Sequence, residues 1–322
     1  MERQHYQSDN IAFMPNLTRL AATANLALLR VLIGRMHPGA RSWLAQRVLS
    51  DRYEPRTRAL ADFFDRSVLA WKNKQYDVAL NGEAALLERL RPFAPATLID
   101  VGANVGEWAL AACRALPEGV VHAFEIADAT AEVLAANVAA AGFSPRVRIN
   151  RVGLAATAGE IPFYFIPESQ AEHTESSTLR AAVAFSAGDH AASAIVETTA
   201  RVITGDGYLR EQGITHVDLL KIDVEGAEFS VLEGFADAFG CGAIDMVQFE
   251  YGPLNLTTRK LLADYDAFFT AQGFMLGKLY PEGVAFKPYE LTDEDFIGPN
   301  YVACHQRRPD IIAALRCPPL RS

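Results

Sequence analysis

The sequence predicts an α/β domain built on a mostly parallel sheet and preceded by a helical segment. From residue 97 onward, short runs of β-branched and apolar residues alternate with longer helical patterns. Strands that are separated by helices of about ten or more residues usually pair in parallel, with helices covering both faces of the sheet. Residues 1–92 instead carry apolar residues at three- and four-residue spacing, without a clear strand pattern. We therefore predict a helical extension over residues 1–92 and an α/β domain over residues 93–322.

The elements of the predicted α/β domain follow one another in a regular order. The strands are predicted at residues 97–101, 120–125, 147–152, 161–166, 217–222, 244–250, 274–279 and 301–304. The helices are predicted at residues 105–116, 129–141, 227–239 and 257–272. Gly142, Gly240 and Gly273 follow three of these helices, and glycine commonly ends a helix. No helix separates the last two strands, which favours an antiparallel pair at one edge of the sheet.

The charge and the cysteines limit the classes of partner. The chain has 322 residues and a formal net charge of −9, and tight binding to nucleic acid depends on Lys and Arg. We therefore expect no nucleic-acid partner. Residues 17–36 are apolar but include three arginines, so we expect an amphipathic helix and no membrane span. The cysteines lie too far apart for paired metal ligands, which favours reduced thiols and a cytoplasmic location.

The turn after the first strand has the pattern Asp-x-Gly-x-x-x-Gly, formed by Asp100, Gly102 and Gly106. Glycine allows the backbone to approach a ligand closely, and a βα unit binds its ligand at the carboxyl end of the strand. The dinucleotide fingerprint G-x-G-x-x-G gives room to a pyrophosphate, which the Asp100 carboxylate would repel. The sulfonium and α-amino groups of S-adenosylmethionine would be attracted by a carboxylate. The turn therefore favours S-adenosylmethionine over NAD.

Glu125 ends the second predicted strand, near the offset of about 20 residues at which an acid binds ribose hydroxyls. One carboxylate can accept hydrogen bonds from both hydroxyls of the ribose diol. We therefore predict that Glu125 binds the ribose, with an exposed acid at the strand end as the alternative.

An acidic segment, residues 218–228, overlaps the strand predicted at 217–222 and continues beyond its end. Asp223 falls at the carboxyl end of this strand, and Glu250 ends the next strand along the chain. Asp223 or Glu225 is a candidate general base for a hydroxyl, or a candidate ligand of a divalent cation. Lys221 is interpreted as a structural ion-pair partner, and Glu228 as an acid that stabilises the helix dipole.

The segment at residues 167–194 is polar and rich in small residues, which is typical of an active-site loop. His173 within it is a candidate base, although an isolated surface histidine is the commoner case.

With these residues in view, the chain resembles the FkbM family of S-adenosylmethionine-dependent methyltransferases over roughly residues 75–305. The resemblance depends on residues 99–106, on Phe124-Glu125, on Ser176-Ser177-Thr178-Leu179 and most strongly on residues 218–228. Ile126 stands where the family commonly has proline, and Gly205-Asp206 where it commonly has Leu-Asp.

The resemblance implies a class I methyltransferase fold, which is a Rossmann-like, mostly parallel sheet of seven strands with one antiparallel edge strand. It implies O-methylation of a sugar or of a secondary metabolite, as in natural product biosynthesis. Glu125 would bind the ribose, and Gly153 and Leu154 would lie near the adenine. The full set of cofactor-binding residues carried over is Asp100, Gly102, Ala103, Asn104, Gly106, Glu125, Ile126, Gly153, Leu154 and Asp223.

The leading functional hypothesis is therefore an O-methyltransferase with a small-molecule hydroxyl acceptor. Asp223, Glu225 and Glu250 are its predicted catalytic residues, and Asp223 and Glu250 are candidate ligands if a divalent metal takes part. The first 70 residues would form a lid that selects the acceptor. The sequence leaves open whether the protein is a homo-oligomer.

The same residues bear on other function classes. A methyltransferase for nucleobase amines often has an Asn/Asp-Pro-Pro-aromatic run after the fourth parallel strand, where this chain has Asp223-Val224-Glu225-Gly226. An NAD-dependent oxidoreductase is the alternative enzyme, and a non-catalytic cofactor-binding subunit is the alternative outside catalysis.

Overall fold

The computed structural model describes residues 31–166, 176–187 and 194–318. His173 and most of the candidate loop at 167–194 lie outside these residues. Contacts divide the chain into two compact units, Met1–Trp71 and Lys72–Ser322. The first unit contains helices α1 (Pro38–Val48) and α2 (Pro55–Trp71), neither of which buries a residue. None of the described helices has the length and apolar character needed to cross a membrane.

The second unit contains the remaining helices and all the described strands. Its helices are α3 (Glu83–Leu90), α4 (Glu107–Ala115), α5 (Asp128–Ala140), α6 (Arg180–Ala187), α7 (Gly205–Gln212), α8 (Glu228–Glu233), α9 (Ala236–Gly240), α10 (Asn255–Thr258), α11 (Leu262–Ala271) and α12 (Pro309–Leu315). Its strands are β1 (Thr97–Val101), β2 (Val120–Phe124), β3 (Val147–Asn150), β4 (Gly153–Leu154), β5 (Gly159–Phe165), β6 (Ser176–Ser177), β7 (Val196–Ile203), β8 (Leu219–Ile222), β9 (Met246–Glu250), β10 (Phe274–Tyr280), β11 (Gly283–Phe286) and β12 (Asn300–His305).

The division between the units differs from the predicted boundary after residue 92, because α3 packs in the second unit. Leu86, Leu87 and Leu90 of α3 are buried in one core with Trp108 and Ala109 of α4. The leucine spacing that predicted a helix therefore also provides the apolar face that holds this helix on the α/β domain.

The central sheet has the order β11-β10-β12-β9-β8-β1-β2-β3. Strands β3, β2, β1, β8 and β9 are parallel neighbours, and apolar cores cover both faces of the sheet. Helices α3, α4, α5 and α12 contribute to one core, and helices α7, α8, α9 and α11 to the other. The predicted α/β class is therefore confirmed.

Two details of the predicted sheet are wrong. The sheet has eight described strands rather than seven, because β11 forms an antiparallel hairpin with β10 at the edge. The antiparallel strand β12 lies inside the sheet, between β10 and β9, and not at an edge. The absence of a helix before β12 predicted its antiparallel pairing with β10, but its insertion beside β9 depends on contacts between distant segments.

A second sheet has the order β4-β7-β5-β6. Strand β5 pairs antiparallel with β7 along its whole length, from Gly159 to Phe165. The sequence predicted β5 as an additional strand and did not predict β7. The small sheet supplies one wall of the site described below.

Two predicted helices are interrupted in the structure. Residues 257–272 divide into α10 and α11 because Arg259 has a left-handed φ of 57°. Residues 227–239 divide into α8 and α9 around Phe235. Periodicity alone does not locate such breaks, since the apolar spacing continues across them.

His122 lies buried in β2, with its Nδ1 2.7 Å from the hydroxyl of Tyr208. Burial, with a further contribution from the charge of Arg148, lowers the pKa of this imidazole from 6.5 to about 4. The folded protein therefore holds His122 neutral under conditions in which the unfolded chain takes up a proton.

This difference predicts a pH dependence of stability. Between pH 6.5 and 4 the unfolded chain binds one proton more than the folded protein, so the free energy of unfolding decreases as the pH falls. His122→Gln removes this contribution. In denaturant titrations, the free energy of unfolding of the wild type minus that of the variant should become smaller as the pH falls through this range. A difference that stays constant with pH would contradict the prediction.

Candidate active site

The acids predicted at strand ends converge at one edge of the central sheet. Glu125 follows β2, Asp223 follows β8 and Glu250 ends β9. The order β2-β1-β8-β9 makes these strands neighbours, and their carboxyl ends share one edge because the strands are parallel. An open pocket lies at this edge, with about 860 Å³ of space when its open mouth is included.

Most of the predicted site residues line this pocket. The lining includes the predicted residues Gly102, Asn104, Glu125, Ile126, Gly153, Leu154, Asp223 and Glu225. Asp100, Ala103, Gly106 and Glu250 lie outside the lining as described. The lining is completed by residues that the sequence did not assign to the site, although several belong to the segments that carry the family resemblance, and they are Val101, Phe124, Ala155, Ile161, Phe163, Ser177, Thr178, Val202, Val224, Ala227 and Ser230.

The glycine turn uses its own backbone donors internally. The N–H groups of Gly102 and Ala103 both donate to the carbonyl of Phe124, at 3.0 and 2.9 Å. The Asn104 N–H donates to Glu125, and the Gly106 N–H donates to the Ala103 carbonyl. A pyrophosphate site needs such donors to point at the phosphate oxygens. These four donors of the turn are occupied by the protein itself.

Gly102 is required by close packing between the two loops of the site. Its φ is +78°, and a Cβ at this position would lie 1.7 Å from the carbonyl oxygen of Asp223. Gly106 has a φ of +96°, and its Cβ would lie 2.6 Å from Leu134. The glycine spacing thus lets the turn pack against the end of β8 and against α5.

Glu125 is buried and held by two backbone donors. Its Oε2 accepts from the N–H of Asn104 at 2.9 Å, and its Oε1 accepts from the N–H of Ala127 at 2.8 Å. Burial raises the pKa of this carboxyl group, while the two hydrogen bonds lower it. Each oxygen keeps a further lone pair, so the side chain can accept two hydroxyl groups from a ligand in a fixed orientation.

Below the pocket, Lys221 is buried between two carboxylates. Its Nζ lies 3.2 Å from Asp100 Oδ1 and 3.4 Å from Asp223 Oδ2. The carboxylates of Asp100 and Asp223 raise the pKa of Lys221, which remains charged, while burial opposes this effect. Asp100 has no exposed surface, and burial raises its pKa against the opposing charge of Lys221. Lys221 is thus the structural ion-pair partner that the sequence suggested.

Asp223 and Glu250 form a carboxyl pair above Lys221. The Asp223 side chain is 40% exposed, while burial and the charges of Asp223 and Glu225 raise the pKa of Glu250 well above its usual range. A hydrogen bond joins the two side chains. Two adjacent carboxyl groups that share a site hold one proton between them. The raised pKa of Glu250 therefore favours its protonated form beside Asp223.

The other end of the pocket is apolar. Phe124 ends β2 and Ile126 follows it, and Ile161 and Phe163 of β5 and Val202 of β7 face them from the small sheet. Of these residues, the sequence assigned only Ile126 to the site. The aromatic run of β5 was visible as a strand, but its approach to β2 depends on pairing with β7, which the sequence did not predict.

Among the described residues, one group of three side chains is spaced closely enough to hold a metal ion, and it lies at the opposite edge of the sheet. This group is His216, Asp218 and Asp245, at the amino ends of β8 and β9. Asp245 already pairs with Arg307 and Arg308, and Asp218 accepts from the N–H groups at residues 96 and 97. These carboxylates are engaged in holding the fold together.

A matched pair of glycines tests the packing of the turn. Gly102→Ala should lower the free energy of unfolding by at least about 3 kcal/mol, or prevent folding, because its Cβ meets backbone. Gly142 has a nearly identical φ of +76° with nothing within 4 Å, so Gly142→Ala should cost only about 1–2 kcal/mol. Denaturant titration measures both values. Equal losses would show that backbone conformation, and not the contact with Asp223, requires Gly102.

Comparison with known proteins identifies relatives that share part of the chain. Methyltransferase sdnD of Sordaria araneosa is 31% identical over 153 residues, which cover 42% of this chain and 59% of that protein. AMB antimetabolite synthetase AmbE of Pseudomonas aeruginosa is 27% identical over 166 residues, covering 44% of this chain and 8% of that protein. The chain thus spans less than two thirds of the length of either relative.

Among solved structures, an O-methyltransferase of Bacillus cereus in complex with SAH aligns with a TM-score of 0.38 and 11% identity, covering 74% of this chain and 86% of that chain. A likeness of this size carries no argument about the site, and the fold is assigned from the sheet order described above. The model of the methyltransferase FkbM domain matches residues 100–276, from the glycine turn to β10. This match covers more than half of the chain, which is therefore a member of the FkbM methyltransferase family.

Proposed function

We propose that this protein transfers a methyl group from S-adenosylmethionine to a hydroxyl group of a small molecule, a sugar or a secondary metabolite. The observation that carries the proposal is the charge of the pocket. Glu125, Asp223 and Glu225 line it, and none of the described lining residues is basic. Such a pocket favours a cationic ligand and an uncharged acceptor over phosphorylated ones.

The residues of the pocket fit S-adenosylmethionine. The occupied backbone donors of the turn argue against a pyrophosphate and hence against NAD. Glu125 would hold the ribose diol through the free lone pairs of its oriented carboxylate. The apolar wall formed by Phe124, Ile126 and Phe163 would take the adenine. When bound, the cofactor would supply a methyl group activated by the positive sulfonium.

Asp223 is the proposed general base. Its side chain pairs with Glu250, and its partly exposed carboxylate faces the pocket. An acceptor hydroxyl must lose its proton as it is methylated, so a base within hydrogen-bonding reach accelerates the reaction. Glu250 would orient Asp223 through their hydrogen bond, and Glu225 would add negative charge at the same rim.

The same donor set does not fit a divalent cation. The ammonium of Lys221 lies 3.4 Å from Asp223, and burial raises the pKa of Glu250 well above its usual range. A cation would have to compete with a proton at Glu250 and approach a fixed positive charge. We therefore derive no step through a metal at Asp223 and Glu250.

The cofactor assignment predicts the outcome of calorimetry. The protein should bind S-adenosylhomocysteine and show no binding of NADH. Glu125→Gln should weaken the binding of S-adenosylhomocysteine by about tenfold or more. The NH₂ group of glutamine would face a backbone N–H group that now donates to the carboxylate.

Glu107→Gln serves as the control, because Glu107 is an exposed acid in the first turn of α4, outside the pocket lining. It should bind S-adenosylhomocysteine as wild type does. Binding of NADH without binding of S-adenosylhomocysteine would overturn the assignment.

The acceptor is sought by mass spectrometry of small molecules from cells with and without the active protein. We expect a metabolite that is heavier by one CH₂ unit in the presence of the wild-type protein. Asp223→Asn should abolish this product while retaining most of the affinity for S-adenosylhomocysteine. Asp128→Asn, which changes an exposed acid at the start of α5, should leave the product unchanged. Unaltered product formation by Asp223→Asn would remove Asp223 from the mechanism.

A further inference from the structure

The loop that carries two of the proposed catalytic acids has an unusual backbone. In residues 223–226, which follow β8, Glu225 and Gly226 have consecutive left-handed φ values of 56° and 103°. A left-handed conformation is unfavourable for a residue with a side chain, such as Glu225. Such a conformation persists where the surrounding structure enforces it, and it is typical of functional loops.

Glu228 holds this loop from the side of helix α8. Its Oε1 accepts from the N–H of Gly226 at 2.9 Å and from the N–H of Val224 at 3.2 Å. The side chain is only 1% exposed, although it stands in the first turn of a helix, where acids usually face solvent. A carboxylate that serves only the helix dipole needs no burial, so the burial of Glu228 indicates a more specific role.

Ser177 holds the same loop from the side of the small sheet. Its Oγ donates to the carbonyl of Glu225 at 3.1 Å and accepts from the N–H of Leu179 at 3.0 Å. The residue is 4% exposed, and its neighbour Thr178 lines the pocket. The hydroxyl thus links β6 to the left-handed residue of the loop.

We propose that Ser177 and Glu228 are positioning residues that together clamp the loop at residues 223–226, so that Asp223 and Glu225 face the pocket. The two side chains contact different backbone atoms of one loop, with Glu228 binding its N–H groups and Ser177 binding its carbonyl. This inference deepens the proposed function, because it rests on the role proposed for the two acids. It also gives the serine-rich segment of the small sheet a role in the site.

The clamp predicts which replacements of Glu228 are tolerated. Glu228→Gln keeps an oxygen that can accept from both N–H groups, whereas Glu228→Ala removes it. Burial raises the pKa of Glu228 to about 7, so a neutral side chain is already accessible at this position near neutral pH. Glutamine should therefore preserve the clamp and alanine should not.

Amide hydrogen exchange tests the clamp without any ligand. In Glu228→Ala, exchange at Val224 and Gly226 should accelerate about tenfold or more, because both amides lose their acceptor. Glu228→Gln should retain the wild-type rates. Wild-type exchange rates at both amides in Glu228→Ala would overturn the proposal.

Calorimetry with S-adenosylhomocysteine as the probe tests the consequence for the pocket. Glu228→Ala and Ser177→Ala should each weaken binding by about tenfold, and the double variant should lose less than the product of the two effects, because both act on one loop. Glu107→Ala is the matched control for an acid in the first turn of a helix, and Ser67→Ala for a serine hydroxyl bonded to a backbone carbonyl. Both controls should bind as wild type does.

The outcomes separate this proposal from the proposed function. If the wild-type protein fails to bind S-adenosylhomocysteine, the donor assignment fails and the exchange rates still decide whether the loop is clamped. If Glu228→Ala does not fold, the affinity of Ser177→Ala for S-adenosylhomocysteine tests the proposal instead, since this variant removes only one hydroxyl from the opposite side of the loop. Accelerated amide exchange with an unchanged affinity for S-adenosylhomocysteine would show that the clamp serves only the structure of the loop, and it would overturn the positioning role.

Discussion

The site depends on a single buried ammonium group. Lys221 lies between Asp100 on β1 and Asp223 after β8, and it neutralises a carboxylate that has no exposed surface. Removing one partner of such a buried pair typically costs about 3–5 kcal/mol, because the remaining charge is left uncompensated. The pair therefore joins the two central strands at the level where the ligand pocket begins, and it fixes where negative charge remains available.

The arrangement separates structural charge from functional charge. Beneath the pocket, Lys221 counters the charge of Asp100 and also contacts Asp223, while Glu125, Asp223 and Glu225 line the pocket and none of the described lining residues is basic. The backbone N–H groups of the turn after β1 donate to Phe124 and Glu125, which orients the Glu125 carboxylate and leaves these donors unavailable to a phosphate. The proposed preference for a cationic ligand thus rests on the acids that line the pocket.

In the structure, Asp100 and Glu228 contact groups other than those that the sequence suggests. The carboxylate of Asp100 was expected beside a cationic cofactor, but the structure places it under the pocket, against Lys221. The negative charge at the pocket comes instead from acids at other strand ends. Glu228 was interpreted as an acid for the helix dipole, whereas its carboxylate accepts two N–H groups of the preceding loop. The contact between Asp100 and Lys221 joins strands that are far apart in the chain. Glu228 contacts a neighbouring segment, but the sequence pattern does not show that its side chain is buried.

The sequence by itself determined the five parallel strands of the central sheet, the glycine turn and the acids at the ends of β2, β8 and β9, because periodicity and turn chemistry are local properties of the chain. Only the tertiary structure decided the insertion of β12 beside β9, the pairing of β5 with β7 and the contact of Gly102 with Asp223. These features join segments that are far apart in the chain. Their geometry follows from close packing and from the pairing of buried polar groups, which no single segment encodes.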